Sequence, residues 1–151
     1  MIQLPEKPIR LVIQSLPGHL PIVRAAVEKL CDVIGFDAVT AGAIMLSVDE
    51  AITNIIRHAY DNAGDQTIEV ELTPLGGELS AGLRIRLRDY GQAVDPSRIK
   101  SRDLSDIRPG GLGVHIMNEC MDHLDYCRAD GGGTILTMVK HLAMSDKGSV
   151  K

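Results

Sequence analysis

Residues 48–60 read Val48-Asp49-Glu50-Ala51-Ile52-Thr53-Asn54-Ile55-Ile56-Arg57-His58-Ala59-Tyr60, and this stretch predicts a helix with an apolar and a polar face. Side chains four residues apart lie about one turn apart on the same face, so Glu50, Asn54 and His58 form a polar stripe. The neighbouring apolar stripe consists of Ile44, Val48, Ile52 and Ile55. A carboxylate can accept a proton and an amide oxygen can bind a hard cation, so the polar stripe could serve metal-assisted nucleotide chemistry.

Two later segments carry signals of the same kind. Residues 83–88 alternate like a strand and lead into Asp89-Tyr90-Gly91, where a glycine after the acid permits close backbone approach to a ligand. Further on, Gly110-Gly111-Leu112-Gly113 opens an apolar helix, and the free amides at such a helix start can cradle an anion. Each motif alone is more typical of an ordinary turn or hinge than of a binding site. Their combination, in this order and in so short a chain, favours a nucleotide site.

The three motifs together resemble the N, G1 and G2 boxes of the GHKL ATP-binding superfamily. Within that superfamily the chain is most similar to the small stand-alone branch of RsbW-like anti-sigma-factor serine/threonine kinases. Asp-Glu-Ala-Ile-Thr-Asn with His-Ala-Tyr, Arg-Pro-Gly-Gly-Leu-Gly with Met-Asp, and Gly-Gly-Thr with Val-Lys carry this similarity. The resemblance covers roughly residues 7 to 142.

The resemblance implies a role for each motif residue. Glu50 would act as the general base, Asn54 would bind Mg²⁺ beside the phosphates of ATP, and Asp89 would accept a hydrogen bond from the adenine amino group. The further nucleotide contacts that it implies are His58, Gly91, Ala93, Arg102, Gly110, Gly111, Leu112, Gly113 and Thr134. It also implies that Arg24 is a contact for a partner protein, although a surface arginine without a role fits the sequence as well.

Several of these residues keep a second interpretation. His58 either touches the nucleotide or orders the end of its helix. The loop cations Arg98, Lys100, Arg102 and Arg108 are candidate γ-phosphate contacts or solvated loop charges. The first glycine box departs from the family pattern, because Ala93 stands where Asp-x-Gly-x-Gly has its second glycine, and this puts nucleotide affinity in doubt. Asp49 points about 100° away from Glu50 around the helix, so paired-carboxylate chemistry is not expected.

Size and composition predict one globular domain. The chain has 151 residues, of which 44% are hydrophobic, so residues 1–142 can bury a core, and residues 143–151 are predicted to be a disordered tail. A net charge of −4 argues against a nucleic-acid surface. Three cysteines without Cys-x-x-Cys spacing indicate reduced thiols in a cytoplasmic protein. We expect no transmembrane segment and no leader, since no apolar run of about 18 residues is evident.

The order of predicted elements gives an α/β (α+β) two-layer sandwich, with helices on one face of a mixed, mostly antiparallel sheet. Strands are predicted at 8–14, 67–73, 81–88, 124–128 and 134–140. Helices are predicted at about 20–34, ended by Gly35, then from an N-cap at Thr40, and at 112–123. Residues 92–110 are predicted to be a mobile loop. The resemblance makes this architecture the Bergerat-type fold, with the nucleotide under a lid. The glycine pattern fits neither a Rossmann turn nor a P-loop.

The leading functional hypothesis is an ATP-dependent protein kinase switch. The resemblance implies that it binds a sigma factor as a homodimer and phosphorylates a serine or threonine of a small STAS-type antagonist. Two alternatives stay open. One is a regulatory module that uses ATP only to order its partner surface, and the other is the ATP-binding part of a split histidine-kinase system.

Overall fold

The computed structural model describes residues 4–77, 80–91 and 111–143. Strand β1 (Ile9–Gln14) and a short 3₁₀ turn (Pro17–His19) precede helix α1 (Leu20–Ile34) and helix α2 (Ala38–Asn54). Strands β2 (Thr67–Leu75) and β3 (Gly82–Asp89) follow, and after them come helix α3 (Gly111–Cys120) and strands β4 (His123–Arg128) and β5 (Thr134–His141). The predicted loop 92–110 and the predicted tail, apart from Ala143, lie outside the described residues.

The five strands form one sheet in the order β1-β2-β3-β5-β4. All four pairings between these strands are antiparallel. The prediction of a mostly antiparallel sheet is therefore confirmed, while no parallel pair occurs within the described ranges. Strand β2 runs two residues further than predicted, to Leu75. Pro74 pairs with Leu83 of β3, and a proline fits there because β1 no longer pairs with β2 at that point.

The core lies between the sheet and the helices. Alternate residues of β3 point into it, so that Leu83, Ile85 and Leu87 are fully buried, while the residues between them are arginines on the helix-free face. Helix α2 contributes Ile44, Val48 and Ile52 to the same core. Burial of side chains of this size stabilises the fold by about 1.5–3 kcal/mol each.

The ends of helices α1 and α2 lie at residues that favour helix termini, and one of the two predicted ends is wrong. Gly35 ends α1 in a left-handed conformation with φ 109°, as predicted. The predicted N-cap of α2 is wrong, because the helix begins at Ala38 and Asp37 is its cap. A carboxylate oxygen of Asp37 accepts a hydrogen bond of 2.7 Å from the backbone amide of Thr40, which lies in the first turn.

The helical path continues past α2 as a π-helical turn, Ile55–Ala59. The amide of Tyr60 closes this turn with a 3.0 Å bond to the carbonyl of Ile55. Asp61 and Asn62 then reverse the chain with φ of 50° and 63°, as their turn chemistry predicts.

Helix α2 and the π-helical turn together, Ala38–Ala59, are long and apolar enough to cross a membrane, among the described residues that were searched. The sequence had suggested no such segment. In the fold, Ile44 and Ile52 of this stretch are completely buried against the sheet, which makes it the core helix of the domain.

Candidate nucleotide-binding site

Asp89 lies at the end of β3, on the side of the sheet that faces the helices. Only 3% of its surface is exposed, and one carboxylate oxygen accepts a 3.0 Å hydrogen bond from the amide of Gly91. Burial raises the pKa of Asp89, and the opposing contributions of the backbone amides of Gly91 and Thr134 and of the Arg88 charge are smaller. A buried carboxylate at the open end of a sheet is suited to accept a hydrogen bond from a bound molecule.

Thr134 begins β5 beside Asp89. The residue is 5% exposed, and its hydroxyl oxygen has no hydrogen-bond partner within the described ranges. A buried hydroxyl without a partner costs free energy unless something binds it. The carboxylate and this hydroxyl therefore fit a ring that offers an amino donor next to an acceptor nitrogen, as adenine does.

Two glycines let the backbone approach closely here. A Cβ on Gly133 would lie 1.9 Å from the carbonyl oxygen of Asp89, and a Cβ on Gly91 would lie 2.3 Å from that of Ala59. Gly133 also has a φ of +84°, which glycine tolerates best. The end of β3 thus packs closely against both the β4–β5 turn and the π-helical turn.

Tyr60, to which the sequence patterns give no role, connects the same elements. Its buried hydroxyl accepts a 2.6 Å hydrogen bond from the amide of Tyr90 and donates one to the carbonyl of Thr67. The end of the helical segment is therefore tied to the start of β2 and to the residue that follows Asp89. The sequence signal for this role is a tyrosine just after the polar stripe, but the sequence does not show which groups its hydroxyl would bond.

Asn54 and Glu50 lie on the last turns of α2. The side-chain oxygen of Asn54 is buried and has no hydrogen-bond partner in the part of the chain that the structure describes. Glu50 is half-buried, with no hydrogen bond or ion pair to any described residue. The unsatisfied amide oxygen fits Mg²⁺, which takes few protein ligands and keeps several waters. No cluster of three or more acidic, histidine or cysteine side chains that could hold a metal ion occurs among the described residues.

An open cleft of about 590 Å³ borders this site. The residues that line it are His58, Ala59, Tyr60, Asp61, Ala63, Gln66, Tyr90 and Gly91. His58 and Gly91 belong to the predicted set, whereas Asp89, Asn54 and Glu50 do not line the cleft. The cleft thus adjoins the predicted nucleotide contacts instead of coinciding with them, and exposed His58 lies at its wall.

Arg24, the predicted partner contact, lies on α1 and is paired with Asp49 of α2. Their closest atoms are 2.7 Å apart, and the arginine side chain remains 44% exposed. The hydrogen bond and charge of Asp49 raise the pKa of Arg24. Asp49 is thus engaged with α1, away from Glu50.

The second glycine box begins a helix, as predicted. Gly111, Leu112 and Gly113 form the first turn of α3, which starts one residue earlier than expected and ends three residues earlier, at Cys120. The remaining predicted contacts lie outside the described residues: Ala93, Arg98, Lys100, Arg102, Arg108 and Gly110.

Comparison with known proteins identifies the family. A family model described as the histidine kinase-like ATPase domain matches residues 13–140. The chain belongs to this family. Membership confirms the GHKL resemblance and the Bergerat-type fold, and it makes this an ATP-binding domain.

Curated proteins similar to this chain include protein kinases. Serine-protein kinase RsbW of Halalkalibacterium halodurans is 25% identical over 142 residues, 89% of this chain and 83% of the relative. Serine/threonine-protein kinase BtrW of Bordetella bronchiseptica is 35% identical over 104 residues, 66% of this chain and 70% of the relative. The relationship places the chain in the serine/threonine-protein kinase class.

Solved structures support the fold of this family member. The RsbU and RsbW domains of Rv1364c from Mycobacterium tuberculosis match with a TM-score of 0.65 and 20% identity over 91% of this chain. The blue-light activated histidine kinase EL346 of Erythrobacter litoralis matches with a TM-score of 0.55 and 21% identity over 87%. The present chain spans 33% and 43% of those two chains.

Proposed function

We propose that this chain is an ATP-dependent serine/threonine kinase that acts as an anti-sigma-factor-type switch and phosphorylates a small STAS-type antagonist. One observation carries the proposal: the partnerless buried oxygen of Asn54 lies one helical turn from Glu50, which itself has no partner among the described residues. A metal ligand and a base on one rigid helix suit phosphoryl transfer, in which positioning and charge stabilisation supply most of the catalysis.

In this proposal, two residues at the end of the sheet, Asp89 and Thr134, select adenine over other nucleobases. Asp89 accepts a hydrogen bond from the amino group of the base, and Thr134 donates one to the adjacent ring nitrogen. Guanine presents a carbonyl oxygen where adenine has its amine, so the buried carboxylate of Asp89 would face an acceptor and reject it.

The catalytic part of the proposal concerns α2. Asn54 would hold Mg²⁺ through its side-chain oxygen, and the bound ion would neutralise phosphate charge. Glu50 accepts the proton of the attacking hydroxyl. Both side chains project from a helix whose other face is fixed in the core, so their spacing is set by the helix itself.

The partner assignments rest on the similarity to RsbW. We propose that the chain binds a sigma factor or a related regulatory target, that it is a homodimer in the cytoplasm, and that the kinase unit is residues 1–142. Arg24 remains sufficiently exposed, even in its pair with Asp49, to serve as a partner contact.

The test is transfer of labelled γ-phosphate to the STAS-domain proteins encoded in the same genome. Glu50→Gln should retain ADP binding and slow transfer by about 10²–10⁴-fold, the contribution of a positioned base. Glu28→Gln, which removes an exposed carboxylate on α1, should transfer at the wild-type rate.

Three outcomes would contradict the proposal in different ways. If the wild type binds a STAS-domain protein in an ATP-dependent manner without phosphorylating it, the chain is a non-catalytic module. An acid-labile phosphohistidine product would favour the histidine-kinase alternative. Full activity of Glu50→Gln would remove Glu50 from the chemistry.

A further inference from the structure

The outer surface of helix α2 is unusually apolar in its first three turns. A helix on the surface of a domain normally carries charged and polar side chains on the side opposite its core face. The segment from Ala38 to Val48 contains no charged residue. Its core face is formed by Ile44 and Val48, which are buried, so the residues on the opposite side must either meet solvent or meet a partner.

Three of those outer residues form a continuous stripe, hereafter the α2 stripe: Val39, Gly42 and Leu46. They are separated by three and four positions, which places them on one helical face. Val39 is 84% exposed and Leu46 is 43% exposed, and Gly42 is exposed between them. Contiguous apolar exposure of this kind marks an interaction site more often than isolated surface residues do.

Gly42 points to the same surface for a different reason. Glycine in the middle of a helix lowers its stability relative to alanine. Within residues 4–77, 80–91 and 111–143, nothing lies within 4 Å of the position that a Cβ would occupy on Gly42, so packing against this part of the chain does not require a glycine. A glycine in a helix that its own fold does not need is explained if the backbone of another molecule approaches there.

The stripe also leads to the proposed base. Glu50 lies four residues beyond Leu46 and eleven beyond Val39, which puts all three on one side of α2 within about 17 Å along its axis. The first charged residues of the helix, Asp49 and Glu50, come where the apolar stripe ends. A protein segment lying along the stripe would therefore bring its next residues to Glu50.

We infer that the α2 stripe is the docking surface for the phosphorylated protein. The segment beside its acceptor serine or threonine would present an apolar side chain to Val39 and Leu46 and pack its backbone against Gly42. This inference rests on the proposed kinase function and adds how the substrate is held. The continuity of the stripe with Glu50 favours the substrate over a second copy of this chain as the occupant.

Two variants test the stripe without threatening the fold. Val39→Asp places an acid in the first turn of α2, where the helix dipole favours it, and Gly42→Ala removes a helix-weakening residue. We expect Gly42→Ala to raise the melting temperature by up to about 4 °C. Both variants should bind ADP like the wild type, but raise the KM for the STAS-domain substrate by about tenfold or more. Ile22→Asp is the matched control, because Ile22 is a 64% exposed aliphatic residue in the first turn of α1.

The possible results separate the two proposals. If the wild type phosphorylates no STAS-domain protein, the proposed function fails and the docking assignment fails with it. If the wild type transfers phosphate but Val39→Asp and Gly42→Ala do so with unchanged KM, or Ile22→Asp is impaired equally, the docking surface alone is overturned. A change in the oligomeric state of Val39→Asp in sedimentation equilibrium, with unchanged transfer, would assign the stripe to self-association.

Discussion

The hydroxyl oxygen of Tyr60 accepts a 2.6 Å hydrogen bond from the backbone amide of Tyr90. This bond joins the end of the helical segment that carries Asn54 to the strand end that carries Asp89. The same hydroxyl donates to the carbonyl of Thr67, so three separate parts of the chain meet at one buried oxygen. Tyr60 therefore ties the helical segment that carries the proposed metal ligand to the strand end that carries the proposed adenine acceptor.

Tyr60→Phe should weaken both the fold and nucleotide binding. The substitution leaves the amide of Tyr90 without its partner, and an unsatisfied buried group costs about 1–3 kcal/mol of unfolding free energy. We expect ADP affinity to fall by about tenfold, because the end of β3 is no longer fixed against the helical segment. Thermal unfolding and calorimetry measure the two effects.

Tyr126→Phe is the matched control for this experiment. Burial raises the pKa of Tyr126 to about 12, yet its hydroxyl makes no hydrogen bond to a described residue. Its removal should change neither ADP affinity nor stability by more than a few tenths of a kcal/mol. Equal effects of the two substitutions would show that Tyr60 has no special positioning role.

Asp89→Asn should reduce ADP affinity by about 10- to 100-fold, the range expected when a charged acceptor is lost from a hydrogen bond. The variant should also lose the preference for adenine over guanine nucleotides, measured by calorimetry with ADP and GDP. Unchanged affinity would remove Asp89 from the base-binding site.

The Asp89 carboxyl also predicts a pH dependence of stability. Its pKa is raised in the folded protein by burial, so the folded state holds this proton more tightly than the unfolded state does. The stability that this group contributes is full below its unfolded pKa and is lost as the pH rises through its folded pKa. The unfolding free energy of Asp89→Asn minus that of the wild type should therefore increase as the pH rises from the unfolded pKa to the folded pKa of Asp89. Urea titrations at a series of pH values would detect it, and a constant difference would contradict the prediction.

Asn54→Ala should remove the effect of Mg²⁺ on nucleotide binding. The wild type is expected to bind ADP more tightly with Mg²⁺ than with a chelator, because the Asn54 oxygen gains a cation as its partner. In the alanine variant the two affinities should converge. Asn54→Asp, which keeps an oxygen ligand at the same place, should restore much of the difference, and failure to do so would argue against direct metal contact.

Gly91→Ala should destabilise the domain by about 1–3 kcal/mol, as overpacking in a tight contact does. The added methyl group would lie 2.3 Å from the carbonyl oxygen of Ala59, so either the strand end or the π-helical turn must move. Gly18→Ala is the control, since no described residue lies within 4 Å of its Cβ position. Chemical denaturation of both variants tests this, and equal stabilities would contradict the contact.

Local pattern was sufficient for most elements of the fold. The periodicity around Glu50 predicted α2, the alternation before Asp89 predicted β3, and Gly35 marked the end of α1. The N-cap of α2 was wrong, because Asp37 and Thr40 are both good caps within three residues and only the packed helix chooses between them. The predicted strand 67–73 leaves Pro74 out for a similar reason. Its place in β2 depends on where the neighbouring strand β1 ends, and the local sequence does not show this.

Which residues share a helix face or a strand side could be read from the sequence alone, because those relationships repeat every few residues along the chain. Which of these faces pack against each other is visible only in the folded domain. The bonds from Tyr60 to Tyr90 and Thr67, the pairing of Arg24 with Asp49, and the partnerless oxygen of Asn54 all depend on how separate elements pack. No local pattern encodes those distances, since they are set by sheet register and helix packing summed over the whole core.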